Sequence, residues 1–174
     1  MKFLVRERIF DIGDDYWVLD ENDEKVYLVD GKALRLRTTF ELKDTEGEVL
    51  ATIREKMFKI RDTVHIKREN GPSATVRERL FDPLREKIVV EVDDAPDWEI
   101  TGDFLGKEYV ISDENGTVAH ISRKLLTVVR DAYAVDVNTH RDDVGGDPAL
   151  VISVAVAVDA LTKDDEKEGD DGEE

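Results

Sequence analysis

The chain has 174 residues, of which 39% are charged, and a formal net charge of −17 at pH 7. Such an acidic surface excludes nucleic acid as a predicted partner, because lysine and arginine must neutralise the phosphates. The absence of cysteine excludes disulfides, thiolate catalysis and metal sites with cysteine ligands.

The acidity extends through the whole chain. Residues 163–174 contain two lysines and eight acidic residues, so they contribute −6 and leave −11 for residues 1–162. Two interpretations remain open: a protein adapted to concentrated salt, or a moderately acidic cytosolic protein. Charges interrupt the first apolar run, MKFLVRERIF, too early for a signal-peptide core. We therefore expect a cytoplasmic, monomeric protein with no transmembrane segment.

Short strand signals follow one another through the first 137 residues. Several of them alternate apolar and polar residues, as 63–66 and 49–53 do. The predicted strands are 2–10, 16–19, 25–29, 33–36, 39–42, 49–56, 59–61, 63–67, 74–81, 87–92, 98–101, 107–112, 118–124, 127–129 and 132–137. Turn residues separate them, with an Asn-Gly hairpin signal at Asn115-Gly116 and an acidic counterpart at 20–23.

An internal repeat divides this string of strands. VRERIFD at 5–11 returns as VRERLFD at 76–82, shifted by 71 positions. A second pair, 46–53 and 115–121, follows in the same order at nearly the same offset. Two related halves, about 1–71 and 72–140, are the simplest explanation.

The fourteen residues 148–161, PALVISVAVAVDAL, are apolar on every side. Asp147-Pro148 supplies an N-cap and a proline at the first helical position, which favours a helix over a buried strand. At helical rise this segment is about 21 Å long, shorter than the roughly 30 Å hydrocarbon core of a bilayer. We therefore expect it to be buried in protein. The acidic tail 163–174 is predicted to be disordered.

Asp159 is the one ionisable residue in this apolar run. We expect it at the exit of the helix, beside Lys163 and water. The alternative is a buried carboxylate, which would need a partner or a raised pKa.

The diameter of a helix then predicts the size of the barrel that encloses it. Eight strands leave a barrel interior that side chains fill, whereas about a dozen can enclose a helix roughly 10–12 Å across. The predicted fold is mainly β: a closed antiparallel β-barrel of about twelve strands around a buried hydrophobic C-terminal α-helix. It forms one domain, residues 1–162, with an internal two-fold repeat.

Several short motifs recur in the order typical of a known family. They are Arg8-Ile9-Phe10, 12–18 (IGDDYWV), 29–33 (VDGKA), Lys56-Met57-Phe58, 98–104 (WEITGDF) and 147–150 (DPAL). In these the chain resembles the LURP-one-related family, whose fold is like the tubby C-terminal domain and the phospholipid scramblases. The resemblance covers residues 1–162 and implies a twelve-stranded barrel around a hydrophobic C-terminal helix. Tubby relatives bind phosphoinositide headgroups and scramblases are membrane-associated, which implies a lipid headgroup as one kind of partner.

Basic residues recur at strand positions in both halves. If they converge at one rim of the barrel, they form an anion site despite the negative net charge. The candidate residues are Arg54, Lys56, Arg61, Arg123, Lys124 and Arg130. The alternative is cross-strand pairing with carboxylates such as Glu7, Glu55 and Glu78.

Catalytic and metal-binding patterns are missing. His65, His120 and His140 are scattered, and no phosphate-binding loop, dinucleotide motif or nucleophile elbow is present. We therefore predict no metal and no cofactor. The predicted function is a non-enzymatic soluble binding or scaffold protein with a protein or lipid-headgroup partner. The alternative is a peripheral membrane protein that recognises phospholipid headgroups through a local basic patch.

Overall fold

The computed structural model describes residues 1–6, 15–32, 38–56, 63–82, 85–123 and 132–170. These residues form twelve strands, one turn of 3-10 helix and one α-helix. The strands are β1 (Lys2–Arg6), β2 (Tyr16–Leu19), β3 (Lys25–Gly31), β4 (Thr39–Lys43), β5 (Val49–Lys56), β6 (Thr63–Arg68), β7 (Ala74–Asp82), β8 (Arg85–Val92), β9 (Trp98–Asp103), β10 (Glu108–Asp113), β11 (Gly116–Ser122) and β12 (Ala132–Val137). The 3-10 turn is Val144–Gly146, and the helix α1 is Pro148–Asp170.

The strands form one closed antiparallel barrel. Each strand pairs with its neighbours in the chain, and β1 pairs with β12 to complete the ring. The closing ladder runs from Lys2 opposite Asp136 to Arg6 opposite Ala132. Closure leaves no strand edge exposed to another chain. The predicted fold class, a twelve-stranded barrel with a C-terminal helix, is confirmed.

The two ends of the barrel carry different connections. The turns 20–24, 44–48, 69–73, 93–97 and 114–115 lie at one end, together with the segment 138–147 that leads into α1. We call it the proximal end, and we call the opposite end, which carries the turn 104–107, the distal end. The helix begins at the proximal end and its 23 residues rise about 34 Å. It therefore runs through the barrel towards the distal end.

Alternate residues of the strands face α1 and form the core. In β5, Ala51 and Ile53 are buried while Arg54 is exposed, as the alternation of the sequence predicts. The inward-facing residues of the wall form one continuous hydrophobic cluster with the helix. A wall of apolar side chains therefore surrounds α1.

Aspartates organise three of the proximal turns. The Asp113 carboxylate accepts a hydrogen bond from the Asn115 amide at 2.8 Å, and Gly116 follows with a positive φ of 115°. Asp20 and Asp44 accept backbone hydrogen bonds in the same way, two and four residues ahead. These side chains mimic a backbone turn and explain the hairpin signals at 20–23 and 115–116.

The helix is buried all round over its apolar part. Every residue from Ala149 to Thr162 is at most 7% exposed. Asp147 caps its start, because one carboxylate oxygen accepts hydrogen bonds from the Ala149 and Leu150 amides at 3.0 and 3.4 Å. The prediction of a helix is therefore confirmed, and the strand alternative is wrong.

The helix ends later than the sequence predicts. The helix continues nine residues past Leu161, to Asp170, into the segment for which the sequence predicts disorder. Lysine and glutamate are good helix formers, so an existing helix is readily extended by them. The predicted strands 33–36, 59–61 and 127–129 lie outside the described residues. The half-repeats 1–71 and 72–140 remain a prediction; each range contains six of the strands.

Candidate functional site

The described members of the predicted anion site lie on two different parts of the wall. Arg54 and Lys56 are on β5, and Arg123 directly follows β11. Strands β5 and β11 are six positions apart in the closed order of twelve, which places them on opposite sides of the barrel. Arg61, Lys124 and Arg130 lie outside the described residues. A common site for all six remains a prediction.

The structure places other basic side chains beside Arg54 and Lys56. In the ladder between β5 and β6, Arg54 is opposite His65, and in the next ladder His65 is opposite Thr75. Lys56 is opposite Thr63, which is in turn opposite Arg77. We call Arg54, Lys56, His65 and Arg77 the basic wall cluster.

The alternation of each strand directs these side chains to the outside of the barrel. Val64 and Ile66 are buried on either side of His65, and Val76 is buried beside the exposed Arg77. An inward-facing residue packs on α1, so its neighbour in the strand faces solvent. Three adjacent strands therefore present one continuous basic face.

Few carboxylates balance this face. Arg77 forms an ion pair with Glu91 on β8, with 2.9 Å between Nη2 and Oε2. Within the described part of the chain, Arg54 and Lys56 have no carboxylate oxygen within 4.0 Å of their charged groups. Counting only partners in the described ranges, the basic wall cluster therefore contains two permanent cations without a carboxylate partner, in a chain of net charge −17.

The positive charges of this face also affect the pKa of His65. Partial burial lowers the pKa of His65, and the positive charges of Lys56 and Arg77 lower it further, with Glu91 acting in the opposite direction. Its Nδ1 lies 3.2 Å from the Thr75 hydroxyl oxygen. The field at this face is thus positive enough to disfavour a further proton.

Between β3 and β4, lysines pair with carboxylates as the alternative interpretation predicts. Lys32 and Lys43 share Asp30 and Glu41 on neighbouring strands, with 2.5 Å from Lys32 Nζ to Asp30 and 3.1 Å to Glu41. Burial opposes ionisation of Asp30, but hydrogen bonds from the two lysines outweigh it and lower the pKa of Asp30. Carboxylates therefore neutralise the lysines of β3 and β4, whereas no carboxylate of the described residues pairs with Arg54 or Lys56.

A second polar group lies inside the barrel near its distal end. Asp159 is fully buried, and its carboxylate accepts hydrogen bonds from the Tyr133 hydroxyl at 2.7 Å and from Lys107 Nζ at 2.5 Å. The expectation that Asp159 lies at the helix exit in contact with water is therefore wrong. The alternative, a buried carboxylate with a partner, is correct, because the helix and the wall extend past this position.

The turn 104–107 positions the partner of Asp159. Lys107 has a positive φ of 55°, and its amide donates to the Phe104 carbonyl at 3.2 Å. Gly102 is opposite Tyr109 in the ladder with φ 139°, and a Cβ atom there would lie 2.4 Å from the Glu108 carbonyl oxygen. The glycine of the motif at 98–104 is thus required by a close approach of two backbones.

Neither group has the composition of a metal centre. Within the described ranges, no set of three or more histidine, aspartate or glutamate side chains converges on one point. His65 lies on β6, His120 on β11 and His140 between β12 and α1. In the same part of the chain, no helix combines the length and apolar character needed to cross a bilayer.

Comparison with known proteins identifies the class to which this barrel belongs. The family model described as LURP-one-related matches residues 1–159 of the chain. The chain therefore belongs to the LURP-one-related family.

Two particular proteins are similar to it over nearly the whole length. The Bacillus subtilis (strain 168) protein named "Uncharacterized protein YxjI" is 20% identical over 168 residues, covering 97% of this chain and 98% of the relative. The X-ray structure of the Arabidopsis thaliana protein AT5G01750 superposes with a TM-score of 0.60 at 16% identity, covering 93% of this chain and 92% of that one. At this identity the solved structure supports the fold alone.

Proposed function

We propose that this chain is a non-enzymatic binding or scaffold protein that recognises an anionic group of its partner through the basic wall cluster. The observation that carries the proposal is the pair of unpaired cations, Arg54 and Lys56, next to His65 and Arg77 in a strongly acidic protein. Cations on a rigid sheet face lose little conformational entropy when an anion binds. A cytoplasmic location is part of the proposal.

The chemistry of the face suits a phosphate or carboxylate group. The guanidinium of Arg54 offers a planar fork of donors, and the ammonium of Lys56 adds a point charge. The hydroxyl of Thr75 lies beside His65 and supplies a neutral donor. These groups bind and orient an anion, and they provide no nucleophile activated by a base.

The test compares two reversals of charge that alter the net charge equally. Arg54→Glu with Lys56→Glu removes both unpaired cations, and Lys2→Glu with Lys25→Glu changes two exposed lysines on β1 and β3. In a titration with inorganic pyrophosphate followed by NMR, the first variant is expected to lose affinity by about tenfold or more, since charge-assisted hydrogen bonds are removed. Equal loss in both variants, or no binding by the parent chain, rejects the proposal.

A second candidate function is recognition of phospholipid headgroups by a peripheral membrane protein. The exposed, unpaired Arg54 on the outer wall favours it, because an outer face can lie flat against a membrane surface. Flotation with vesicles of phosphatidylcholine, with and without phosphatidylserine, at several salt concentrations separates the candidates. Salt-sensitive flotation with the anionic vesicles alone supports the second candidate. Pyrophosphate binding without flotation supports a soluble partner.

A further inference from the structure

Three buried tyrosines lie on one side of the barrel near its distal end. Tyr16 is the first residue of β2, and Tyr109 and Tyr133 are the second residues of β10 and β12. All three strands begin at the distal end, and in the closed order they lie within one arc, β10-β11-β12-β1-β2. The rings are 7%, 1% and 0% exposed, respectively. With Lys107 and Asp159 they form what we call the distal polar cluster.

The three tyrosine hydroxyl groups differ in their hydrogen-bond partners. Tyr133 donates to Asp159, as described above. The hydroxyl oxygens of Tyr16 and Tyr109 are buried and have no hydrogen-bonding partner among the protein atoms of the described ranges. Such orphaned groups are rare in native proteins, because a buried hydroxyl without a partner costs about 1–3 kcal/mol.

Both orphaned hydroxyls are close enough to Asp159 to sense its charge. Burial raises the pKa of Tyr16 and of Tyr109, and the negative charge of Asp159 raises both further. The pKa of Tyr133 is raised by burial and Asp159, and also by the other two tyrosines. The three rings and the carboxylate therefore lie near one another, as their places on the strands require.

The charge of the cluster restricts what can bind there. The ammonium of Lys107 already balances the carboxylate of Asp159, so a further ion is disfavoured and a neutral molecule is favoured. Two phenol hydroxyls require an occupant that can accept a hydrogen bond from each. Water is the smallest neutral molecule that does so, and buried waters commonly make about three hydrogen bonds to otherwise unpaired groups.

We propose that the distal polar cluster is a binding site for ordered water, which the hydroxyls of Tyr16 and Tyr109 hold beside the Asp159 carboxylate. Lys107 is the outermost member, since its side chain is 12% exposed while that of Asp159 is fully buried. The site does not depend on the function proposed for the outer wall.

The sign of a stability change tests the proposal. Tyr109→Phe and Tyr16→Phe remove only the hydroxyl. If the hydroxyl binds water, its removal loses a hydrogen bond and lowers the urea midpoint; if it has no partner, its removal relieves a penalty and raises the midpoint. We expect a lower midpoint for both variants. A raised or unchanged midpoint overturns the proposal.

Two further measurements make this result specific. Tyr27→Phe is the matched control, because the half-buried Tyr27 lies at the proximal end, where Asp147 and Arg68 influence its pKa. This control measures how far the urea midpoint changes when a phenol hydroxyl is removed outside the cluster. A crystal structure of the full chain is expected to show water oxygen within hydrogen-bonding distance of the Tyr16 and Tyr109 hydroxyls. Clear density for the two rings without such a water contradicts the assignment.

Discussion

Asp159 is a fully buried carboxylate on the central helix of this barrel. The α1 helix is apolar around Asp159, and the carboxylate is satisfied by Lys107 and Tyr133, which come from 52 and 26 residues earlier in the chain. A charge buried without its partner is far more costly than a matched apolar residue. The Lys107–Asp159 pair therefore ties α1 to the turn 104–107.

The first prediction concerns this pair. Lys107→Met removes a cationic partner of the buried Asp159 carboxylate, and we expect it to lower the free energy of unfolding by about 3–5 kcal/mol. Urea denaturation followed by circular dichroism measures the loss. The double variant Lys107→Met with Asp159→Leu removes both charges and should regain most of the stability. A single variant as stable as the parent chain would show that the pair contributes little.

The sequence identified Asp159 as exceptional and yet placed it wrongly. Its position near the end of a helix predicted to stop at 161 favoured exposure, whereas α1 continues to Asp170. Lys107 lies in a turn between two strands, and no local pattern links it to Asp159. The apolar surroundings of Asp159 were the available signal, because they demand a partner somewhere in the fold.

The second prediction also belongs to one residue, His65. Lys56 is among the charges that lower the pKa of His65, so Lys56→Glu replaces a repulsive charge by an attractive one. We expect the pKa of His65 to rise in this variant, measured by NMR titration of the imidazole. Lys2→Glu, on β1, is the control and should leave it unchanged. An unchanged pKa of His65 in Lys56→Glu would show that the cluster does not act as one electrostatic unit.

At the scale of the element, α1 is anchored at its start as well as near its distal part. Asp147 caps the helix and also forms an ion pair with Arg68 at the end of β6, with 2.7 Å between Nη1 and Oδ2. The Arg68 side chain is only 8% exposed, so this pair ties the helix start to the wall. The N-cap was predictable from Asp147-Pro148, but the partner on β6 was not.

The third prediction tests this anchor. Asp147→Ala removes the cap and leaves the guanidinium of Arg68 without its carboxylate, and we expect a loss of about 1–3 kcal/mol in the free energy of unfolding. Asp142→Ala, at an exposed position in the same connection, is the control and should change stability by no more than about 0.5 kcal/mol. Equal effects of the two variants, measured by urea denaturation, would rule out a specific anchor.

At the scale of the whole molecule, the closed barrel could be predicted because its signals are local. Alternation and turn residues indicate a string of short strands, and one long apolar run indicates a helix that a barrel of about twelve strands can enclose. Convergence of side chains could not be predicted, because it depends on which strands become neighbours. Arg54 and Arg123 come from strands on opposite walls, while Arg54 and His65 come from adjacent ones.

Net charge is also a property of the whole molecule. At −17 the folded chain repels itself, and the repulsion is weaker in the more expanded unfolded chain. Salt reduces it, since the Debye length falls from about 10 Å at 0.1 M to about 3 Å at 1 M. The ion pairs of Arg141 with Asp113 and Asp143 resist this screening better than exposed pairs do, because the Arg141 side chain is only 8% exposed.

The fourth prediction concerns the effect of salt on charge repulsion and on ion pairs. We expect the melting temperature to rise as potassium chloride is increased from 0.1 M to 1 M, because screening relieves more repulsion than it weakens exposed ion pairs. A variant that neutralises exposed acids of the turns and of the segment before α1 should show a smaller rise. These acids are Glu21, Glu46, Glu48, Glu114 and Asp142, each replaced by its amide. A melting temperature that stays constant or falls across the series would exclude adaptation to concentrated salt and would leave the acidity to another role, such as solubility.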